Sequence, residues 1–116
     1  MITNVQEATK EDVNVAVTAA REAFDNGPWS SMSGKERGML MNNLVMLLER
    51  HKEELADLES LDSGKPFNMT STVDIPAMID TFRYYGGMAD KIHGLTVPMD
   101  VPFLNCSQSE PVGVCG

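Results

Sequence analysis

The seven residues from Leu61 to Phe67, with the sequence LDSGKPF, mark the sharpest boundary in the chain. Gly64 is the residue type that closes a helix in the left-handed conformation, Lys65 suits the negative end of the helix dipole, and Pro66 cannot continue a helix. The glycine–lysine pair is not a phosphate-binding loop, because residues 45–62 contain no glycine to open the required motif. We therefore expect helices before this stretch and a new chain direction after it.

The first helix is predicted to begin at Thr9, with Asp12 in its first turn, and to end at Asn26–Pro28. Its apolar residues follow steps of three and four, so we expect one face to be buried. These residues are Val13, Ala16, Val17, Ala20 and Phe24. Trp29 comes next, in a predicted loop, where a large ring usually fills the gap between two helices.

The second helix is predicted to begin at a capping box, in which Ser33 and Glu36 each bond the other's backbone N–H. It then runs to Gly64 as one long helix that could bend near His51. The charged residues between Glu49 and Glu59 fall mostly on the side away from the apolar stripe, and we read them as a solvated face. The stripe consists of Leu40, Leu44, Leu47, Leu48, His51, Leu55, Leu58 and Leu61.

A third helix is predicted to begin at Asp74, with Pro76 in its first turn, and to end near Gly94. Gly86 and Gly87 would each weaken its interior by roughly 1 kcal/mol relative to alanine. Their presence therefore indicates that another backbone packs closely against this helix.

After Gly94 the pattern changes to that of β-structure. Residues 95–109 are predicted to form a hairpin that turns through residues 100–102, and residues 110–116 could begin a buried strand. Neither a lone strand nor an isolated hairpin is stable by itself, so both need neighbours.

Charge and hydropathy limit the classes of protein that fit. The chain has 116 residues, 42% of them hydrophobic, and a net charge of −8. Nucleic acid and anionic membranes both require a basic face, so we expect neither as a partner. The longest apolar run in the middle of the chain, residues 44–48, is too short to span a bilayer, and the first residues lack the features of a signal peptide. We expect a folded, intracellular protein, most simply a cytoplasmic one.

No catalytic motif can be named from the residues themselves. No nucleophile–histidine arrangement, metal-ligand spacing or glycine-rich dinucleotide turn is present. Cys106 and Cys115 do not form a disulfide framework or a zinc motif, and we expect both to be free thiols. An activated Cys115 would need a neighbouring cation, base or helix N-terminus, so a small hydrophobic residue on a strand is the favoured interpretation.

Six blocks of sequence, taken together and in order, resemble the N-terminal part of the NAD(P)-dependent aldehyde dehydrogenases. The resemblance runs from about Thr9 to Gly116. It is closest to the broad group that contains acetaldehyde, retinal and betaine-aldehyde dehydrogenases. The blocks are residues 23–30 (AFDNGPWS), 34–38 (GKERG), 47–50 (LLER), 61–67 (LDSGKPF), 83–94 (RYYGGMADKIHG) and 110–116 (EPVGVCG).

The resemblance implies an α+β fragment of the α/β aldehyde dehydrogenase fold. Residues 1–94 would be the helical N-terminal part of the cofactor-binding domain, and residues 95–109 would be the hairpin of the oligomerisation arm. Residues 110–116 would be the start of the first cofactor-domain strand. The family is oligomeric, so the implied partners are an aldehyde substrate and other copies of the chain.

The implied activity is oxidation of an aldehyde to a carboxylate with NAD or NADP. In this family a cysteine thiolate attacks the aldehyde, hydride passes to the nicotinamide, and water hydrolyses the thioester. The family's catalytic residues and nicotinamide contacts lie beyond the position that Gly116 matches, and Cys115 does not match the nucleophile. We therefore assign no catalytic and no cofactor-binding residue here, and expect the 116-residue chain alone to be inactive.

Three residues acquire candidate roles from the resemblance. Asp62 matches an aspartate that helps to hold a structural monovalent cation in many family members. Val73 and Ala77 match positions that line the mouth of the aldehyde tunnel. Small apolar side chains at that mouth would admit a bulky aldehyde.

Two points stay open at the level of sequence. The main rival to an enzyme segment is a non-catalytic interaction module that binds dehydrogenase subunits through its helices and hairpin, because the hairpin's exposed edges need a partner. The mitochondrial matrix is the alternative to the cytoplasm if a transit peptide is missing.

Overall fold

The computed structural model describes residues 3–116, which form two compact units. One unit contains residues 3–32 and 108–116, and the other contains residues 33–107. The described chain is mostly helical, with one small antiparallel sheet. Its elements are α1 (Lys10–Asn26), α2 (Pro28–Ser31), α3 (Gly34–Arg50), α4 (Lys52–Ser63), α5 (Phe67–Met69), a π-helical turn (Thr70–Asp74), α6 (Ile75–Met88), β1 (Thr96–Val97) and β2 (Asn105–Cys106).

Helix α1 begins and ends where the sequence predicts. The Asp12 amide donates to the Thr9 hydroxyl at 3.3 Å, and the Thr9 amide donates to the Asp12 carboxylate at 2.8 Å. The Asp12 carboxylate accepts bonds from the Thr9 amide and also from the Thr9 hydroxyl, and these two bonds, that of the amide first, lower the pKa of Asp12. The expected burial of one face is wrong, because Val13 and Val17 are 53% and 51% exposed. Within its unit, the helix that packs against α1 is α2, whose four residues are too few to cover a helix of 17 residues.

Trp29 lies in the short helix α2 rather than in a loop, and its side chain is 52% exposed. Pro28 at the first helical position favours this extra turn, because its fixed φ suits a helix and its missing N–H would have no partner there. The expectation of a buried ring is therefore wrong for this chain.

The second predicted helix is divided in two at His51. Its capping box is confirmed, since the Glu36 amide donates to the Ser33 hydroxyl and the Ser33 amide donates to the Glu36 carboxylate. At His51 the backbone leaves the helical conformation, with φ −104° and ψ 14°, so α3 and α4 are separate helices. Gly64 then ends α4 with φ +75°, as the sequence predicts.

The core of the larger unit is small and lies among α3, α4 and α6. Val45, Ala56, Ile75 and Ile79 are buried, and Leu48, Leu55, Met78 and Phe82 pack against them. Only two leucines of the predicted stripe thus contribute to this core. The other five, which are exposed, are Leu40, Leu44, Leu47, Leu58 and Leu61.

The close backbone approach predicted from the paired glycines is confirmed at Gly86. A β-carbon on Gly38 of α3 would lie 2.7 Å from the Gly86 carbonyl oxygen, closer than atoms of these types can pack. A β-carbon on Gly87, by contrast, would meet nothing within 4 Å. One glycine of the pair therefore permits α3 and α6 to cross, and that crossing determines which face of α3 is covered.

The third predicted helix begins earlier and ends earlier than expected. Helical structure starts directly after Pro66, whose carbonyl accepts bonds from the amides of Met69 and Thr70, and so precedes Asp74. The helix ends at Met88 rather than near Gly94. Just beyond this end, the Lys91 ammonium donates to the Gly87 carbonyl in the last turn. The α-helical part after the π-helical turn still begins at Ile75, with Asp74 before it and Pro76 in its first turn, as the sequence predicts.

The predicted hairpin is present but short. Strands β1 and β2 are antiparallel, with Thr96 opposite Cys106 and Val97 opposite Asn105. Beside them, the Ser107 amide donates to the Leu95 carbonyl at 2.8 Å. Residues 110–116 form no strand, since no neighbouring strand pairs with them, and their assignment to a cofactor domain stays a prediction. Within residues 3–116, no helix is both long and apolar enough to cross a membrane.

Candidate functional site

The two predicted tunnel residues lie on one helical segment. Val73 is in the π-helical turn and Ala77 is in the first turn of α6. Both side chains are exposed, Val73 by 48%, so they are open to contact with a molecule outside the described chain. The structure therefore places them as a pair, and their role at an aldehyde tunnel stays a prediction.

A buried hydroxyl fixes this segment to α4. Thr70, the first residue of the π-helical turn, is fully buried, and its hydroxyl lies 2.9 Å from the Ala56 carbonyl of α4. It also lies 2.9 Å from the Phe67 carbonyl, so its single proton is shared between two acceptors. A bond of this kind between elements contributes about 1 kcal/mol of stability. The burial of Thr70 was not predicted, because a threonine in a polar stretch of sequence carries no signal of burial.

An ion pair makes a second connection to the same turn. The Lys65 ammonium lies 2.7 Å from the Asp74 carboxylate and 3.9 Å from that of Glu59. The hydrogen bond from Lys65 to Asp74 raises the pKa of the lysine above its usual range. Because Lys65 belongs to the boundary stretch and Asp74 follows Val73, the pair joins the end of α4 to the predicted tunnel segment.

Asp62, the predicted cation ligand, lies exposed in the last turn of α4. Among residues 3–116, no group of three or more histidine, cysteine or acidic side chains is placed to hold a metal ion. The role of Asp62 as a cation ligand stays a prediction. Neither of the cysteines, Cys106 and Cys115, is buried or disulfide-bonded.

A charged groove lies elsewhere in the larger unit, where α3 and α4 face α6. Arg83 bonds Glu49 across this groove and bonds Asp80 on its own helix at 2.5 Å. The groove has a volume of about 360 Å³, and its six lining residues include neither Val73 nor Ala77. Because the Arg83 guanidinium binds both the Glu49 and the Asp80 carboxylates, we interpret these side chains as a structural ion-pair network that joins α3 and α6.

Comparison with known proteins places the chain in a family. The model of the aldehyde dehydrogenase family matches residues 1–116, and the chain belongs to this family. The resemblance predicted from the sequence blocks is therefore confirmed.

Individual relatives agree with this assignment. The chain is 49% identical to mitochondrial benzaldehyde dehydrogenase of Antirrhinum majus over 116 residues, which are 100% of the chain and 22% of that protein. It is 49% identical to human retinal dehydrogenase 2, covering 99% of the chain and 22% of the relative. The structure of the NAD+ complex of an aldehyde dehydrogenase from Bacillus cereus matches with a TM-score of 0.84 and 47% identity, over 91% of the chain and 22% of that protein. The chain thus spans about a fifth of the length of these relatives.

Proposed function

We propose that this chain serves as a segment of an enzyme that oxidises an aldehyde to a carboxylate with NAD or NADP. The observation that supports this most strongly is the agreement of fold and sequence with the Bacillus cereus enzyme, whose structure contains NAD+. In the overall reaction water supplies the second carboxylate oxygen, hydride passes to the nicotinamide, and two protons are released. The bound nicotinamide supplies the hydride acceptor, and we assign no residue of this chain to its binding.

The test is a replacement enzyme, in which this chain takes the place of the matched segment of the Bacillus cereus enzyme. We expect it to fold and to form NADH when given an aldehyde and NAD+. The 116-residue chain by itself should form none. NADH formation by the isolated chain, or a folded replacement enzyme without turnover, would contradict the proposal.

Within that enzyme, Val73 and Ala77 would line the mouth of the aldehyde tunnel. Their adjacent positions on one segment and their exposure support this role. Ala77→Phe should raise the KM for benzaldehyde in the replacement enzyme by about tenfold, because a phenyl ring fills the space that an aromatic substrate needs. The KM for acetaldehyde serves as the internal control and should change little. Equal changes in the KM values for the two aldehydes would contradict the placement of Ala77 at the tunnel mouth.

Asp62 would contribute one carboxylate oxygen to a structural monovalent cation. This role is supported by the exposure of Asp62 at the end of α4, where a hard cation could reach the carboxylate. The thermal unfolding midpoint of the replacement enzyme should rise when potassium or sodium chloride replaces tetramethylammonium chloride at equal ionic strength. Asp62→Asn should abolish that rise, whereas Asp57→Asn, at an exposed site five residues earlier on α4, should preserve it. A rise that survives in Asp62→Asn would contradict the cation role.

The hairpin supports a proposal about assembly. Strands β1 and β2 pair only with each other within the described residues, and Phe103 and Leu104 beside β2 are 75% and 82% exposed. Exposed edges and apolar side chains favour contact with another subunit, either in a homo-oligomer of the enzyme or, in the rival interpretation, as a non-catalytic module. Co-expression with a full-length family member and size-exclusion chromatography distinguish the two, since a mixed oligomer without added activity supports the module.

The compartment is proposed to be the cytoplasm, with the mitochondrial matrix as the alternative. The relatives include mitochondrial aldehyde dehydrogenase of Mesocricetus auratus and an aldehyde dehydrogenase of Emericella nidulans whose name gives no compartment. Fractionation of cells that express the chain with its native flanking sequence tests this directly.

A further inference from the structure

The segment that carries Val73 contains one residue more than a regular helix would hold. The Ile75 amide donates to the Thr70 carbonyl, five residues earlier, so Thr70–Asp74 form a π-helical turn between α5 and α6. An α-helix bonds residues four apart, and the extra residue widens the turn. Single π-helical turns are rare and occur frequently at functional sites.

Pro76 explains why the widened turn lies at this place. In a regular helix the proline ring would collide with the carbonyl of Thr72, four residues earlier, and the proline would leave that carbonyl without a donor. The π-helical turn ends at Asp74, two residues before Pro76, and includes Thr72. Widening this turn relieves the collision, and α6 continues from Ile75.

Two contacts from α4 and the residues after it hold the widened turn. The fully buried Thr70 hydroxyl reaches the Ala56 carbonyl at one end, and the Lys65 ammonium reaches the Asp74 carboxylate at the other. Val73 lies between these two fixed ends, and it is 48% exposed. Its placement therefore depends on the turn that carries it.

We infer that Thr70 is a positioning residue that sets the placement of Val73, and with it the aldehyde selectivity of the enzyme, through the π-helical turn. The inference rests on the proposed function, because it requires Val73 to lie at the aldehyde tunnel. Thr70 itself is buried behind the turn and does not contact the aldehyde.

Thr70→Val in the replacement enzyme isolates the hydroxyl, because valine has the same shape. A methyl group cannot stay 2.9 Å from the Ala56 and Phe67 carbonyl oxygens, since carbon–oxygen contacts are about 3.3–3.6 Å. The turn must therefore move away from α4 by a few tenths of an ångström. Thr72→Val is the matched control: its hydroxyl is in the same turn but exposed, and it bonds only the nearby Asn68 carbonyl at 2.6 Å.

Two measurements report the result. The ratio of kcat/KM for benzaldehyde to that for acetaldehyde should change by at least about threefold in Thr70→Val. Amide hydrogen exchange of the peptide over residues 70–79 should become faster by about tenfold. Thr72→Val should leave the selectivity ratio unchanged, and Thr70→Ser, which retains the hydroxyl, should keep both values close to those of the unmutated enzyme.

The outcomes distinguish the positioning role of Thr70 from the proposed function of the chain. An unchanged selectivity ratio in a folded, active Thr70→Val enzyme overturns the inference and leaves the proposed function intact. A folded replacement enzyme that oxidises no aldehyde overturns both. If Thr70→Val does not fold, Lys65→Met releases the other end of the turn at an exposed site, and an unchanged selectivity ratio in that variant overturns the inference in the same way.

Discussion

At the scale of single residues, the structure distinguishes two glycines that both lie inside helices, Gly38 in α3 and Gly87 in α6. Gly38 faces the Gly86 carbonyl across the crossing of α3 and α6, whereas Gly87 borders open space. Both lie in helices, so alanine would favour the helical backbone at each position by about 0.5–1 kcal/mol. Only at Gly38 does the new methyl group meet backbone, and the effects of the two substitutions should therefore have opposite signs.

Gly38→Ala should lower the free energy of unfolding by about 1–3 kcal/mol, because the overpacked helices must move apart. Gly87→Ala should leave it unchanged or raise it by up to about 1 kcal/mol. Urea denaturation of the chain followed by circular dichroism measures both. A Gly38→Ala chain as stable as the unmutated one would show that the two helices do not cross closely at this residue.

At the scale of secondary structure, the capping box at the start of α3 predicts a pH dependence. Hydrogen bonds from the Ser33 hydroxyl and, next, from the Ser33 amide lower the pKa of Glu36 below its usual value. A lowered pKa in the folded state means that the ionised Glu36 stabilises α3 above the pKa of the unfolded chain. That contribution is lost as the pH falls through the lower, folded-state pKa.

Ser33→Ala should therefore return the pKa of Glu36 toward its usual value and lower helix stability by about 1 kcal/mol at pH 7. The carboxyl carbon shift of Glu36, followed by NMR between about pH 2 and pH 7, measures the pKa directly. Ser31→Ala is the matched control, since its hydroxyl bonds only the Pro28 carbonyl and should leave Glu36 unchanged. A Glu36 pKa that is the same with and without the Ser33 hydroxyl would contradict the capping geometry.

Local signals in the sequence predicted the ends of the helices more accurately than they predicted which side chains are buried. Thr9, Ser33 and Gly64 each determine a helix end through their own backbone or side-chain chemistry, and all three are confirmed. The break at His51 lies where a bend was predicted, whereas the π-helical turn before Pro76 was not predicted, because periodicity alone does not reveal a change in hydrogen-bond spacing. The same holds for the core, where Val45 is buried while the predicted Leu44 and Leu47 are exposed.

The candidate site shows the same division. The positions of Asp62, Val73 and Ala77 came from resemblance to a family, and the structure shows them exposed on α4 and on the segment that follows. Thr70, which connects that segment to α4, was missed because its burial arises from tertiary packing. The spacing between Pro66 and Pro76 is the one sequence signal that could have indicated an unusual turn between them.

At the scale of the whole molecule, the central claim is that this chain is a working segment of an aldehyde-oxidising enzyme. Its family membership covers the full 116 residues, while those residues span about 22% of the relatives' length. The chain's own contribution would be structural. The close approach at Gly38 and Gly86 allows α3 and α6 to pack together, and the turn at Thr70–Asp74 with the start of α6 carries the predicted tunnel residues.

The most direct test is the stoichiometry of the replacement enzyme, in which NADH is followed by absorbance and carboxylate by chromatography in the same reaction. The Bacillus cereus enzyme and the isolated 116-residue chain serve as the positive and negative controls. We predict one NADH for each carboxylate formed by the replacement enzyme, and none from the chain alone. A replacement enzyme that folds and binds NAD+ but forms neither product would contradict the claim.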